Sequence, residues 1–145
     1  MIFPEPRAGL VIRYSYLWSR EHQAGREEGI KDRPCAIIVS VVDDDGKRWV
    51  LVAPITHAPP LVPEDAIEIP AAIKARLGLD TDRAWVVIDE ANRFIWPGPD
   101  LCPIPGRDAS TIVYGTLPPE FFARLRDAFL ARFTRKEIKS VLRSE

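Results

Sequence analysis

Cysteine is nearly missing from this chain: Cys35 and Cys102 are the only two among 145 residues. Two thiols so far apart give neither a metal-ligand spacing nor a disulfide framework. Cys35 lies in an apolar run, where a reduced, buried thiol is the ordinary reading. Histidine is equally scarce, with only His22 and His57, and these two alone do not make a zinc site. No window approaches 18 uninterrupted apolar residues, which argues against a membrane-spanning helix. Met1 to Leu10 carries Glu5, Arg7 and two prolines where a signal peptide would carry an apolar centre. The expectation is a cytoplasmic protein, with no membrane partner, no metal and no cofactor.

Charge of one sign is also lacking. The net charge is −1, which excludes a generally basic nucleic-acid binder. The distribution is uneven: residues 116–145 carry seven basic and four acidic groups, and residues 36–115 seven and twelve. A polyanion site would therefore have to be local. Apolar content of 46% suits one domain over residues 1–145 with a sizeable core, and 14 prolines argue against long uninterrupted helices.

What is present is a series of short strand signals. Gly9 to Trp18 reads as a first strand, with Ile12, Tyr14, Tyr16 and Trp18 on one side and Val11, Arg13, Ser15 and Leu17 on the other. Ser19 to Asp32 has seven charged residues and no apolar period, and reads as a long exposed loop. Cys35 to Val42 is a β-branched run, Asp43–Gly46 a hairpin turn, and Trp49 to Ala53 the returning strand. Ala66 to Ile69 reads as a short strand. Pro70 to Leu77 reads as a short helix with Gly78 as its stop. Trp85 to Ile88 is a further strand, with a short return through Phe94-Ile95-Trp96, and Ile112 to Tyr114 forms an edge. Phe122, Leu125, Phe129 and Phe133 recur at helical spacing after Pro118-Pro119, giving an amphipathic C-terminal helix. Thr134 and Glu137 have capping-box spacing and predict a second short helix to Arg143. Five or six short strands with a terminal helix suggest a mainly β fold with some α: a small curved barrel.

Several motifs fall in a telling order: Gly9-Leu-Val-Ile12, His22-Gln23-Ala24-Gly25, Arg33-Pro34 opening a Val/Ile-rich strand, Val52-Ala53-Pro54-Ile55-Thr56, Asp89-Glu90, and a helix led by Pro118-Pro119-Glu120. In that order the chain resembles the MazF/PemK family of toxin endoribonucleases from toxin–antitoxin pairs, over nearly its whole length. The resemblance implies an SH3-like barrel with small helices, a homodimer, and a cognate antitoxin as partner. It also implies metal-independent cleavage of single-stranded RNA, such as mRNA, by attack of a 2′-hydroxyl that leaves a 2′,3′-cyclic phosphate. The alternatives within the same resemblance are a gyrase-directed toxin and a catalytically silent protein-binding member. The chain departs from the family pattern in three places. His22 stands where an acid commonly precedes Gln-Ala-Gly, Val87 where some relatives have a catalytic arginine, and seven residues separate Gly25 from Arg33.

On the family pattern Arg33 and Thr56 are the catalytic pair. Arginine's planar fork suits phosphoryl oxygens, and a threonine hydroxyl adds a donor. Against this stands an ordinary surface arginine paired with Asp32 or Glu28. His57 is the third catalytic candidate, because an imidazole exchanges protons near neutral pH; the alternative is a loop histidine stacked on Pro59 or Trp49. Substrate-binding candidates are Glu21 and His22 in the loop, Asp89 and Glu90 after a strand, and Arg93, with Arg13 as a further phosphate contact. For each of these, a turn, a cap or plain solvation is the competing reading. Tyr16, Trp18 and Trp96 are stacking candidates, and core or interface positions are their alternative.

Overall fold

The computed structural model describes residues 3–25, 31–108 and 111–143. Its centre follows from the β-branched runs. β1 (Leu10–Tyr14) pairs antiparallel with β2 (Arg33–Val42), and β2 with β3 (Arg48–Thr56). The β2–β3 turn is closed locally: the Asp43 carboxylate accepts hydrogen bonds from the Asp45 and Lys47 backbones, and Gly46 takes a left-handed φ of 80°.

Beyond β3 come β4 (Ala66–Glu68), α2 (Ala71–Leu77), β5 (Trp85–Val87) and β6 (Glu90–Ile95); α1 (Ser19–Gln23) precedes β2. β7 (Val113–Thr116), α3 (Pro119–Thr134) and β8 (Lys139–Leu142) complete the chain. α2 has the bounds its sequence announces, with Pro70 before it and Gly78 after it at φ 68°.

The sheet has eight strands and is not closed into a barrel, which corrects the expectation of an SH3-like barrel. The strand path runs β4-β5-β3-β2-β1-β7, with β6 between β3 and β8. Among the described residues no pairing joins β7 to β4 or to β8. The reason lies on one edge of β3. Trp49–Val52 pair with β6, whereas Ile55 and Thr56 pair with β5. β5 and β6 therefore run along β3 in the same direction, not as a strand and its return. Their outer neighbour changes from β4 to the parallel β8, so the two ends diverge.

Burial agrees with an open, covered sheet. Val11, Ala36, Ile38, Ala53 and Ile55 face a core completed by Leu77 of α2 and by Phe121, Leu125 and Phe129 of α3. Ile12, Tyr14, Cys35, Ile37, Val50 and Val52 face the opposite core with Tyr16, Phe94, Leu101 and Ile112. Strands buried on both faces read as unbroken apolar runs, and the result is a mixed α/β fold with three α-helices among the described residues.

Three local expectations also change. Ser19 to Gln23 is a helical turn, not exposed loop; Ser19 and Glu21 are buried, and Glu21 Oε1 accepts the Trp18 backbone N–H at 3.0 Å. Residues 26–30 of the predicted loop lie outside the described residues. After α3 the chain forms β8 instead of a helix. Thr134 Oγ1 donates back to Leu130 O at 2.9 Å, and Lys136 turns the backbone at φ 59°, freeing residues 139–142 to pair with β6. On α3, Phe121 is buried while Phe133 is 61% exposed.

Candidate active site

A cleft of about 760 Å³ opens where the ends of β2 and β3 meet α2 and the segment before β7. The pairing of Cys35 with Pro54 brings these strand ends side by side, so Arg33, Thr56 and His57 line the same cleft. Arg13, Arg20, Lys31 and Lys74 also reach it, against the carboxylates of Asp32 and Asp80. The lining thus carries five cations and two carboxylates, a local positive excess in a chain of net charge −1.

Arg33 is its centre. Its guanidinium lies over the Trp18 indole, 4.9 Å from the ring centroid, and Arg20 approaches the same ring at 4.9 Å. Its Nε is buried without a hydrogen-bond partner among the described residues, and no ion pair there joins it to Asp32. Burial lowers its pKa from the ordinary arginine value, yet an arginine stays charged at neutral pH. A buried, unsatisfied N–H on a cation is costly unless something else supplies the acceptor. Thr56 Oγ1 accepts the Ala58 backbone N–H at 3.1 Å, which leaves its own O–H to donate. Arg13 Nη1 donates to the Tyr114 hydroxyl at 3.0 Å on the far wall.

His57 is tied to Asp80, with Nε2 2.9 Å from Oδ2 and 3.1 Å from Oδ1. Lys74 Nζ donates to the same carboxylate at 2.8 Å. These donors hold Asp80 below the usual carboxylate range, Lys74 first and His57 after it. His57, Asp80 and Asp82 offer donor atoms within 4.8 Å of one another, but the Lys74 ammonium already sits on Asp80.

The remaining candidates lie elsewhere. Glu21 caps α1 and His22 is exposed beside it; neither lines the cleft. Glu90 Oε1 accepts bonds from the Tyr16 hydroxyl at 3.1 Å and the Ser19 backbone at 2.9 Å. Burial raises the pKa of both Glu90 and Tyr16. Asp89 is half-buried, with its pKa raised first by burial and then by Asp65. Arg93 stacks on Trp49, 5.7 Å from the ring centroid, on a separate apolar groove with Val41, Leu130 and Phe133. Tyr16 is fully buried, and Trp96 donates its indole N–H to Pro4 O at 3.1 Å; of the three stacking candidates only Trp18 lines the cleft.

Lys74 and Asp80 escaped the sequence reading. A lysine between Ile73 and Leu77 on a short helix was the available signal, since its side chain shares the buried side. No family model matches the chain, no curated protein matches its sequence, and no solved structure matches its fold. Among the described residues no helix is long and apolar enough to cross a membrane.

Proposed function

We propose that the cleft binds single-stranded RNA and cleaves it without a metal, as an endoribonuclease toxin with a cognate antitoxin and mRNA as the RNA class. The observation that carries this reading is the buried, unpartnered Nε of Arg33 in a cleft shared with Thr56 and His57. The reading rests on these residues and not on a barrel.

In the proposed reaction Arg33 and Thr56 donate hydrogen bonds to the non-bridging oxygens of one phosphodiester. His57 accepts the proton of the neighbouring 2′-hydroxyl as its oxygen bonds to phosphorus. The bond to the 5′-oxygen breaks on the opposite side, and that oxygen takes a proton from water in the open cleft; the hydroxide left behind is neutralised by the proton that the His57 imidazolium then releases, which returns the imidazole to its neutral form. The products are a 2′,3′-cyclic phosphate and a 5′-hydroxyl. Charge growing on the phosphoryl oxygens is met by fixed donors, the largest usual contribution to such catalysis.

The partner expectations join the same proposal. The groove of Val39, Val41, Trp49, Leu130 and Phe133 is apolar and open, which supports a homodimer contact or an antitoxin segment there. The test is incubation of the purified protein with single-stranded RNA in excess EDTA. Cuts bearing cyclic phosphate ends are expected. Activity lost in EDTA and restored by Mg²⁺, or no cleavage at all, overturns the reading.

A further inference from the structure

We infer that Asp80 is a positioning residue for His57, fixing the imidazole as proton acceptor in the cleft, and that Lys74 in turn fixes Asp80; this rests on the RNA-cleavage reading. The geometry starts with the end of α2. Gly78 takes the left-handed conformation that stops the helix, and the chain folds back so that Asp80 meets Lys74. Lys74 Nζ also donates to the Asp82 carbonyl, and the Asp82 backbone N–H donates to Asp80 Oδ1 at 3.2 Å. The carboxylate is thus held from the protein side before His57 reaches it.

Exposed ion pairs between mobile side chains are usually weak. This one differs because its anchor is buried: the Lys74 side chain is 5% exposed, against 52% for Asp80 and 56% for His57. With Nε2–H donating to Asp80, Nδ1 retains the lone pair that accepts a proton. The imidazolium formed on proton transfer then lies beside an ionised carboxylate. The same logic orients histidines in hydrolytic triads and metal sites, where the partner of the second ring nitrogen sets the working one.

The experiment is a kinetic cycle of wild type, Asp80→Asn, His57→Gln and the double variant, by single-turnover RNA cleavage in EDTA. Binding of a non-cleavable 2′-O-methyl oligonucleotide is measured alongside. Asparagine retains an oxygen for Lys74 and for the Asp82 N–H, so thermal melting should show a folded protein. Asp80→Asn is expected to slow the chemical step by about 100-fold, with oligonucleotide binding changed by less than about twofold. In the His57→Gln background the same substitution should cost less than about threefold, because its effect runs through the imidazole. Equal losses in both backgrounds, or a loss in binding alone, overturn the Asp80 assignment. A wild-type protein that cuts no RNA removes the reading of the cleft itself. A wild-type protein that cuts, with additive losses, removes only the role of Asp80.

Discussion

Replacing Arg143 should be among the most damaging single changes in this chain, although it lies two positions from the last residue. Its side chain is 2% exposed, and Nη2 pairs with Asp100 Oδ2 at 3.0 Å. Nη1 donates to Ser15 O at 2.6 Å and to Asn92 Oδ1 at 3.1 Å, and the guanidinium lies over Tyr14. Asn92 meanwhile clasps Leu17, donating to its carbonyl at 2.8 Å and accepting its N–H at 2.9 Å. The network thus holds the segment that presents Trp18 to Arg33. Arg143→Met keeps most of the apolar stem but removes the cation, leaving the mostly buried Asp100 carboxylate without it. Breaking a buried pair from one side costs about 3–5 kcal/mol, against a total stability of about 5–15 kcal/mol for a domain. The melting temperature should fall by about 10 °C, and urea unfolding should show the midpoint shift at constant slope. Asp100→Asn added to Arg143→Met should cost less than Asp100→Asn in the wild-type chain, because the ion pair it would break is already gone. A loss below about 1 kcal/mol, within the range of an exposed pair, refutes the view that Arg143 pins this end of the fold.

Glu90 gives a pH signature of stability. Its folded-state pKa is raised by burial, so its contribution is fully present below the unfolded carboxyl value and is lost as pH rises through the folded one. Glu90→Gln retains an oxygen for Tyr16 and Ser19, so it should gain on wild type as pH climbs from about 4 toward neutrality; parallel stability curves contradict this. Cys102, its thiol pushed up to about 12 by burial first and Asp32 second, should carry about a thousandfold less thiolate than an ordinary thiol at neutral pH. Native-state alkylation should be correspondingly slower than alkylation in urea, and equal rates would refute the assignment.

Features fixed by neighbouring residues were the legible ones. Pro70 and Gly78 bound α2, and Asp43–Gly46 turns the β2–β3 hairpin, because a few adjacent backbone angles decide both. β8 was misread because its partner, β6, lies about 50 residues away and no local pattern names it; Thr134, with capping-box spacing, bonds back into α3 instead. Closure of the sheet was equally out of reach. Strand signals predict strands, whereas the sharing of one β3 edge between β5 and β6 depends on how both faces are covered. In the site, Arg33, Thr56 and His57 stand at strand ends that a hairpin register brings together. Lys74 and Asp80 join them only through the fold of α2 against that hairpin, which periodicity does not encode.

If Arg33 supplies donors to a phosphodiester in this cleft, as proposed, its loss must slow the chemical step. The most direct test is the single-turnover rate of single-stranded RNA cleavage in EDTA for wild type, Arg33→Ala and Arg33→Lys. Loss of one transition-state donor predicts a fall of about 100-fold or more for Arg33→Ala, with partial recovery in Arg33→Lys, which keeps the charge but not the planar fork. A folded Arg33→Ala protein that cleaves at the wild-type rate contradicts the account.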